Sequence, residues 1–313
     1  METRAIGILD VSVVGLGCNN FGMTIDADAT KAVVDAAIDA GITYFDTAES
    51  YGNGQSEEFL GRALVGRRDK VLVATKWGFT ASPEEGKRCG APAHVRQSLE
   101  ASLTRLGMDY VDQYQLHRPD PDTALADTLG VLAELRQEGK IREIGCTGFS
   151  AAELRAAADA AVGAALAPFP AVQNHYSLIT RSPETDGVLD LCGELGIGFV
   201  PYFPLESGLL TGKYKAMDAL PENSRLSRWG KRGRAFIDED KLVIVARLEA
   251  WAAQRGHSML ELAMSYLASN PVVSTVIAGC TSPAQVHSNV AAAGWALTAA
   301  ERAEVRALID RPA

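Results

Sequence analysis

"ITYFDTAESYGNGQSEEFLGRAL", Ile42 to Leu64, runs from a short apolar strand through a polar, glycine-rich turn into a helix. The same order recurs along the chain. Further apolar runs of strand length are "VVGLG" (13–17), "VLVATK" (71–76), "VDQYQLH" (111–117), "IREIGCT" (141–147), "AVQNHY" (171–176), "IGFVPYF" (197–203) and "VSTVIAG" (273–279). The segments between them carry helical spacing. Ala29, Val33, Ala36, Ala37 and Ala40 share one face of 28–40, and Leu125, Leu129, Leu132 and Leu135 share one face of 123–138. "SAAE" (Ser150–Glu153) and "SPAQ" (Ser282–Gln285) each have the pattern of a helix-opening capping box. Gly41, Gly139, Gly196 and Gly256 stand where helices should stop.

Eight strands, each followed by a helix, imply a parallel sheet. In 313 residues the pattern predicts a single domain over 1–313, a closed (β/α)8 TIM barrel. A doubly wound open sheet is the alternative. "TRAIGILDVSV" (3–13) is expected to form a hairpin that plugs the barrel base. The connection after the seventh strand, about 206–236, has little periodicity and an excess of Lys and Arg. It is either a solvated loop or a cover over an anionic ligand.

The bulk numbers narrow the function. A 47% hydrophobic content suits a cored globular protein. A net charge of −9 argues against nucleic acid or an anionic membrane as partner. The five cysteines have no CxxC and no Cys/His ligand spacing, so neither a disulfide framework nor a metal site is expected. With no leader-like N-terminus and no apolar stretch of about 20 residues, a cytoplasmic protein is expected.

In such a barrel reactive groups gather at the C-terminal strand ends. Asp46, Tyr51 just beyond it, Lys76 and His117 come from three successive strand ends and should face one mouth. A nearby ammonium lowers the pKa of a tyrosine, ordinarily about 10. Lys76 follows an apolar strand and needs a counter-charge, which Asp46 can supply. His117 can orient a substrate oxygen beside the Tyr51 hydroxyl. The set is a proton donor aimed at a carbonyl, with no nucleophile, and the natural missing reactant is a hydride source.

"FDTAESYGNGQSEEFLGRAL", "VLVATK", "DQYQLHRPD", "IREIGCTGFS", "AVQNHYSLI" and "PYFPLESGLLTGKY" resemble, in order and along essentially the whole chain, the motifs of the aldo-keto reductases. The resemblance implies a nicotinamide cofactor bound without a Rossmann fold and a catalytic tetrad at Asp46, Tyr51, Lys76 and His117. It also places Thr147 and Gln173 at the nicotinamide carboxamide, Tyr202 against the nicotinamide ring, and Leu205, Ser207, Gly208 and Lys213 at the pyrophosphate. In "IAGCTSPAQVHSN" (277–289) it places Gly279, Thr281, Ser282 and Gln285 at the adenosine 2′-phosphate and Asn289 at the adenine.

The chain departs from the usual pattern at several places. Gly148 stands where an Asn is common, Phe203 where a Ser is usual, Ser288 in place of a Glu, and Gly279 and Gln285 where many members carry Lys and Arg. One branch with neutral residues there still prefers NADPH, so NADP(H) is expected, with NAD(H) as the alternative. Arg225 or Arg228 could add charge. Phe21, Met23, Trp77, Phe79, Arg118 and Trp229 are candidates for the substrate pocket. The implied activity is NADPH-dependent reduction of aldehydes or ketones to alcohols. An NAD-linked sugar or polyol dehydrogenase and a cofactor-sensing regulatory subunit are the alternatives. No motif sets the oligomeric state.

Overall fold

The computed structural model describes residues 1–79, 89–214, 220–222, 224–228, 230–234 and 236–311, without the side chains of 225, 232 and 234. Two strands, β1 (Thr3–Ile6) and β2 (Leu9–Ser12), pair as an antiparallel hairpin ahead of the barrel. Eight parallel strands follow: β3 (Val14–Gly17), β4 (Tyr44–Asp46), β5 (Leu72–Trp77), β6 (Val111–Leu116), β7 (Ile141–Thr147), β8 (Ala171–His175), β9 (Gly198–Tyr202) and β10 (Val276–Gly279). Their order is sequential, with β10 returning to pair with β3. Between β9 and β10 the ring closes through one bridge, with Phe199 N donating to Val272 O at 2.9 Å and Ser274 N donating to Phe199 O at 2.9 Å. This is the expected (β/α)8 barrel, not an open sheet.

The outer layer is built from α1 (Ala27–Asp39), α2 (Gln55–Ala63), α3 (Pro92–Leu106), α4 (Leu125–Gln137), α5 (Ala151–Gly163), α6 (Ser182–Thr185) and α7 (Val188–Leu195). After β9 come α8 (Arg225–Arg228), α9 (Lys231–Arg234), α10 (Glu239–Ala253) and α11 (Met259–Ala268), and after β10 come α12 (Pro283–Ala292) and α13 (Ala299–Ile309). The apolar stripes face inward as their spacing requires: Val33, Ala36 and Ala37 of α1 and Leu129, Leu132 and Leu135 of α4 are buried. Ser150 and Glu153 form the full capping box. Ser282 caps α12 through Gln285 N, but the Gln285 side chain turns back to Thr281 N at 2.8 Å, so only half of that box forms. The four glycines expected at helix stops all have left-handed backbone, φ between +67° and +83°. Among the described residues no helix is long and apolar enough to cross a membrane.

The hairpin seals the N-terminal end of the barrel. Ile6, Leu9 and Val11 pack against Tyr44, Ala74, Ala171, Val200 and Ile277, one residue from each of five strands. Arg4 donates to the carbonyls of Ala268 at 2.7 Å and Asn270 at 3.1 Å, and Ile8 N donates to Glu143 at 3.0 Å, which ties the hairpin down. With this end filled, the opening lies at the C-terminal ends of the strands.

Helices α2 and α3 meet at Gly61, where a Cβ would stand 2.1 Å from the carbonyl oxygen of Leu106. Gly61→Ala is expected to cost about 2 kcal/mol by forcing the two helices apart and to lower Tm by about 4 °C in thermal denaturation. Gly130→Ala in α4, where a Cβ would meet nothing within 4 Å, is expected to raise Tm slightly.

Candidate active site

Asp46 ends β4, Lys76 is the penultimate residue of β5, and His117 follows β6 directly. Tyr51 opens a short 3-10 turn in which Gly52, Asn53 and Gly54 all have left-handed backbone, φ +58°, +53° and +90°. Two glycines and an asparagine are the residues that tolerate such a reversal, which explains the "YGNG" composition.

The four side chains converge. Lys76 Nζ donates to Asp46 Oδ2 at 2.6 Å, to Thr47 O at 2.9 Å and to the Tyr51 hydroxyl at 3.3 Å. The His117 ring stands edge-on to Tyr51, centroids 5.9 Å apart. Lys76 is fully buried and Asp46 almost so. Burial works against the ammonium, but Asp46 and then Tyr51 outweigh it, and the Lys76 pKa lies above its ordinary value.

Tyr51 differs from the expectation. Burial is the largest influence and raises its pKa above 10.0, while Lys76 pulls it down without cancelling the rise. Burial, followed by the charges of Lys76 and Arg118, drives His117 down to about 2. The imidazole is therefore neutral, and its buried Nδ1 has no hydrogen-bond partner among the described residues.

Above this floor lies a cavity of about 1130 Å3. Asp46, Tyr51 and His117 line it, with Lys76 behind them. Of the residues expected to contact a cofactor, Thr147, Gln173, Tyr202, Leu205, Ser207, Gly208, Lys213, Gly279, Thr281, Gln285 and Asn289 line the same space, whereas Ser282 does not and is used to cap α12. The cavity therefore runs from the strand 5 and 6 ends, past the loop after β9, to the start of α12. A dinucleotide fits its donors. Thr147 Oγ1 and Ser207 Oγ are buried and without hydrogen-bond partners among the described residues. Bare backbone at Gly279 leaves room, since a Cβ there would stand 2.7 Å from Asn19 Oδ1. The loop after β9 carries left-handed backbone at the non-glycine residues Phe203, Glu206 and Ser207 and at Gly208 and Gly212. Such strain concentrates at ligand-clamping segments.

Gln173 is placed as expected but engaged differently. Its Nε2 donates to Asp46 Oδ1 at 3.0 Å, beside the same atom's bond from Gln115 Nε2 at 3.1 Å. The amide beside it, Asn174, accepts from Gly148 N at 2.9 Å. Tyr202 has a partner the sequence did not indicate: the His175 ring stacks on it, centroids 5.4 Å apart at 18°. His175 Nε2 lies 3.0 Å from Glu206 Oε1, though not aligned as a hydrogen bond.

The substrate-pocket expectations need correction. Phe21 and Trp77 are fully buried and do not reach the cavity. Trp77 instead stacks on Tyr114 at 4.2 Å and donates to Cys89 O at 2.8 Å. Met23 is exposed and outside the lining. Arg118 and Phe79 do line the cavity, as does Arg228, whereas Trp229 and the Arg225 side chain lie outside the described residues. Lining residues the sequence did not single out include Asn19, Asn20, Thr211 and Ser224. Asn19 and Asn20 follow the end of β3, and that position was the available signal.

Comparison with known proteins agrees with this geometry. The model of the Aldo/keto reductase family matches residues 13–310. An "L-glyceraldehyde 3-phosphate reductase" of Escherichia coli O157:H7 is 33% identical over 284 residues, covering 88% of this chain and 81% of the relative. A "Probable voltage-gated potassium channel subunit beta" of Oryza sativa subsp. japonica is 35% identical over 279 residues, covering 87% and 84%. A "Putative voltage-gated potassium channel subunit beta" of Schizosaccharomyces pombe is 36% identical over 275 residues, covering 85% and 79%.

The low pKa of His117 has a direct readout. In long-range proton–nitrogen NMR spectra its ring is expected to stay neutral across about pH 5 to 8, where an ordinary histidine titrates. An inflection for His117 in that range would overturn the account of its burial.

Proposed function

The chain belongs to the aldo/keto reductase family and is an NAD(P)H-dependent oxidoreductase; we propose that it is an NADPH-dependent reductase taking aldehydes or ketones reversibly to alcohols, with Tyr51 as the general acid. The proposal rests above all on the chain of contacts from Asp46 through Lys76 to the Tyr51 hydroxyl, on the floor of a cavity large enough for a dinucleotide and a substrate.

A reduced nicotinamide, when bound, supplies the hydride. Thr147 and Gln173 would hold its amide end, Tyr202 would offer a ring face, and Ser207, Gly208 and Lys213 would hold the pyrophosphate; all of them line the cavity. The protein's own part is the proton. With His117 neutral, Tyr51 is the acid that remains. Its raised pKa keeps the hydroxyl protonated at neutral pH, ready to donate to a carbonyl oxygen. Lys76 Nζ, 3.3 Å from that hydroxyl, stabilises the phenolate left behind. His117 orients the substrate oxygen as a neutral partner. In the oxidative direction Tyr51 must first be a phenolate, so that direction gains as pH rises toward the tyrosine pKa.

For NADP(H) over NAD(H), Arg228 lines the cavity, and the Gln285 amide is held by its carbonyl on Thr281. The lack of a Lys or Arg at Gly279 and Gln285 favours NAD(H) as the second reading, on a sugar or polyol dehydrogenase. The channel-subunit names among the relatives favour a third, a cofactor-sensing subunit without turnover.

With 4-nitrobenzaldehyde the purified protein is expected to oxidise NADPH in preference to NADH. Tyr51→Phe is expected to lose about 10²- to 10⁴-fold in kcat while still binding the cofactor in a fluorescence titration. Equal turnover by Tyr51→Phe would overturn the proton-donor role. A preference for NADH would favour the dehydrogenase, and tight binding without turnover of any carbonyl would favour the sensor.

A further inference from the structure

Four charged side chains line the cavity among the described residues: Asp46, Arg118, Lys213 and Arg228. Asp46 is already matched by Lys76 behind it. Among the described residues the cavity therefore presents three cations without an acidic partner, in a chain whose net charge is −9. Lys213 and Arg228 belong to the segment after β9, next to Ser207 and Gly208, where a dinucleotide's phosphates account for them. Arg118 does not belong there. It follows His117 at the end of β6, on the side of the floor where a carbonyl substrate must sit.

Its setting is that of a prepared anion receptor. The guanidinium lies 4.0 Å over the Phe79 ring. Phe79 is in turn 4.8 Å from the His117 ring, which stands against Tyr51. A guanidinium carried over an aromatic face gives up no N–H donor to that contact, so its donors stay available for a carboxylate or phosphate. Elsewhere in the barrel arginines are committed to acids: Arg68 and Arg142 to Asp112, and Arg105 to Glu57. Arg118 has no carboxylate within 4.0 Å among the described residues. The nearest acid in sequence, Asp120, is used by Gly90 N at 2.7 Å and Thr123 Oγ1 at 2.7 Å. His117, being neutral, cannot supply the charge in its place.

We propose that Arg118, held on Phe79, binds the anionic end of a short carbonyl substrate, a phosphate or carboxylate a few bonds from the carbon whose oxygen Tyr51 protonates. This rests on the reductase function proposed above and names its substrate class.

Two measurements separate this proposal from that function. The first compares kcat/KM on matched pairs, glyceraldehyde 3-phosphate against glyceraldehyde and succinic semialdehyde against butanal. Wild type is expected to prefer the charged member of at least one pair, and the pair preferred identifies phosphate or carboxylate. In Arg118→Met that preference is expected to fall about 30-fold, carried mainly by KM, the size of a lost charge-assisted hydrogen bond. Arg118→Lys should recover part of it. The second is calorimetric titration of the protein saturated with oxidised cofactor, so that the phosphate-binding loop is filled, using glycerol 3-phosphate, succinate and glycerol as probes. Arg118-dependent binding of a charged probe without turnover of any aldehyde would keep the anion site and overturn the reductase function. Reduction of neutral aldehydes by a wild type with no preference for charged ones, or an equal preference in Arg118→Met, would overturn the anion site and keep the reductase function.

Discussion

Lys76 has no surface in contact with solvent, and an ammonium in that position persists only if all its protons find acceptors. They do: Asp46, the Thr47 carbonyl and the Tyr51 hydroxyl take one each. The second oxygen of Asp46 is likewise filled, by Gln115 and Gln173. Gln115 reaches on to the Tyr44 hydroxyl, and Tyr44 donates to Gln113 at 2.5 Å. The barrel lumen thus changes character along its axis. At the base it is an apolar plug of hairpin and strand residues, and above that a polar network whose upper end is the tyrosine hydroxyl. Removing either ion would strand the other, at about 3–5 kcal/mol, and removing Lys76 would take from the Tyr51 hydroxyl the ammonium that donates to it.

The strand period explains both what could be read in the sequence and what could not. Side chains alternate across a strand, so Tyr44 and Asp46 share the lumen side of β4, and Gln113 and Gln115 that of β6. Because strand ends are where a barrel exposes polar groups, Asp46, Lys76 and His117 could be placed from sequence. The same alternation turns Trp77 away from Lys76 into the helical layer, where it meets Tyr114, whose hydroxyl donates to Val95 O of α3 at 3.2 Å. Its position beside Lys76 was therefore a reason to exclude it from the pocket. The bond from Gln173 to Asp46 was not legible, because it spans 127 residues and depends on which strands face each other across the closed ring. Nor was the rise in the Tyr51 pKa. A neighbouring ammonium can be inferred from spacing, but the depth of burial that outweighs it comes only from the assembled walls.

The loop after β9 shows another limit of the same kind. Its lack of periodicity was visible, but the left-handed backbone at Phe203, Glu206 and Ser207 was not, since none of the three is a residue that favours it. Neighbouring contacts hold the conformation. Glu206 Oε1 accepts from Ser177 Oγ at 2.6 Å and lies against His175, whose ring backs Tyr202. Burial acts to raise the Glu206 pKa, yet the His175 and Ser177 contacts hold it below the usual carboxylate range. A carboxylate thus anchors the first strained residues of the loop to the strand beneath, and Ser207 lines the cavity with a hydroxyl that has no partner among the described residues.

A relative named as a reductase and one named as a channel subunit stand at similar identity to this chain, and the site itself bears on whether the proposed turnover or cofactor sensing is its use. The cost of the floor bears on the choice. A protein that only has to hold a dinucleotide can do so with the walls: the loop after β9, the start of α12 and the ring of Tyr202. It has no need for a buried ammonium that does not itself line the cavity, and apolar residues of similar volume in place of such a pair are often neutral or stabilising. What Lys76 and Asp46 add is charge set directly behind a tyrosine hydroxyl, the one place where it eases loss of a proton. A fold that carries the desolvation of two ions to charge that point favours turnover over sensing.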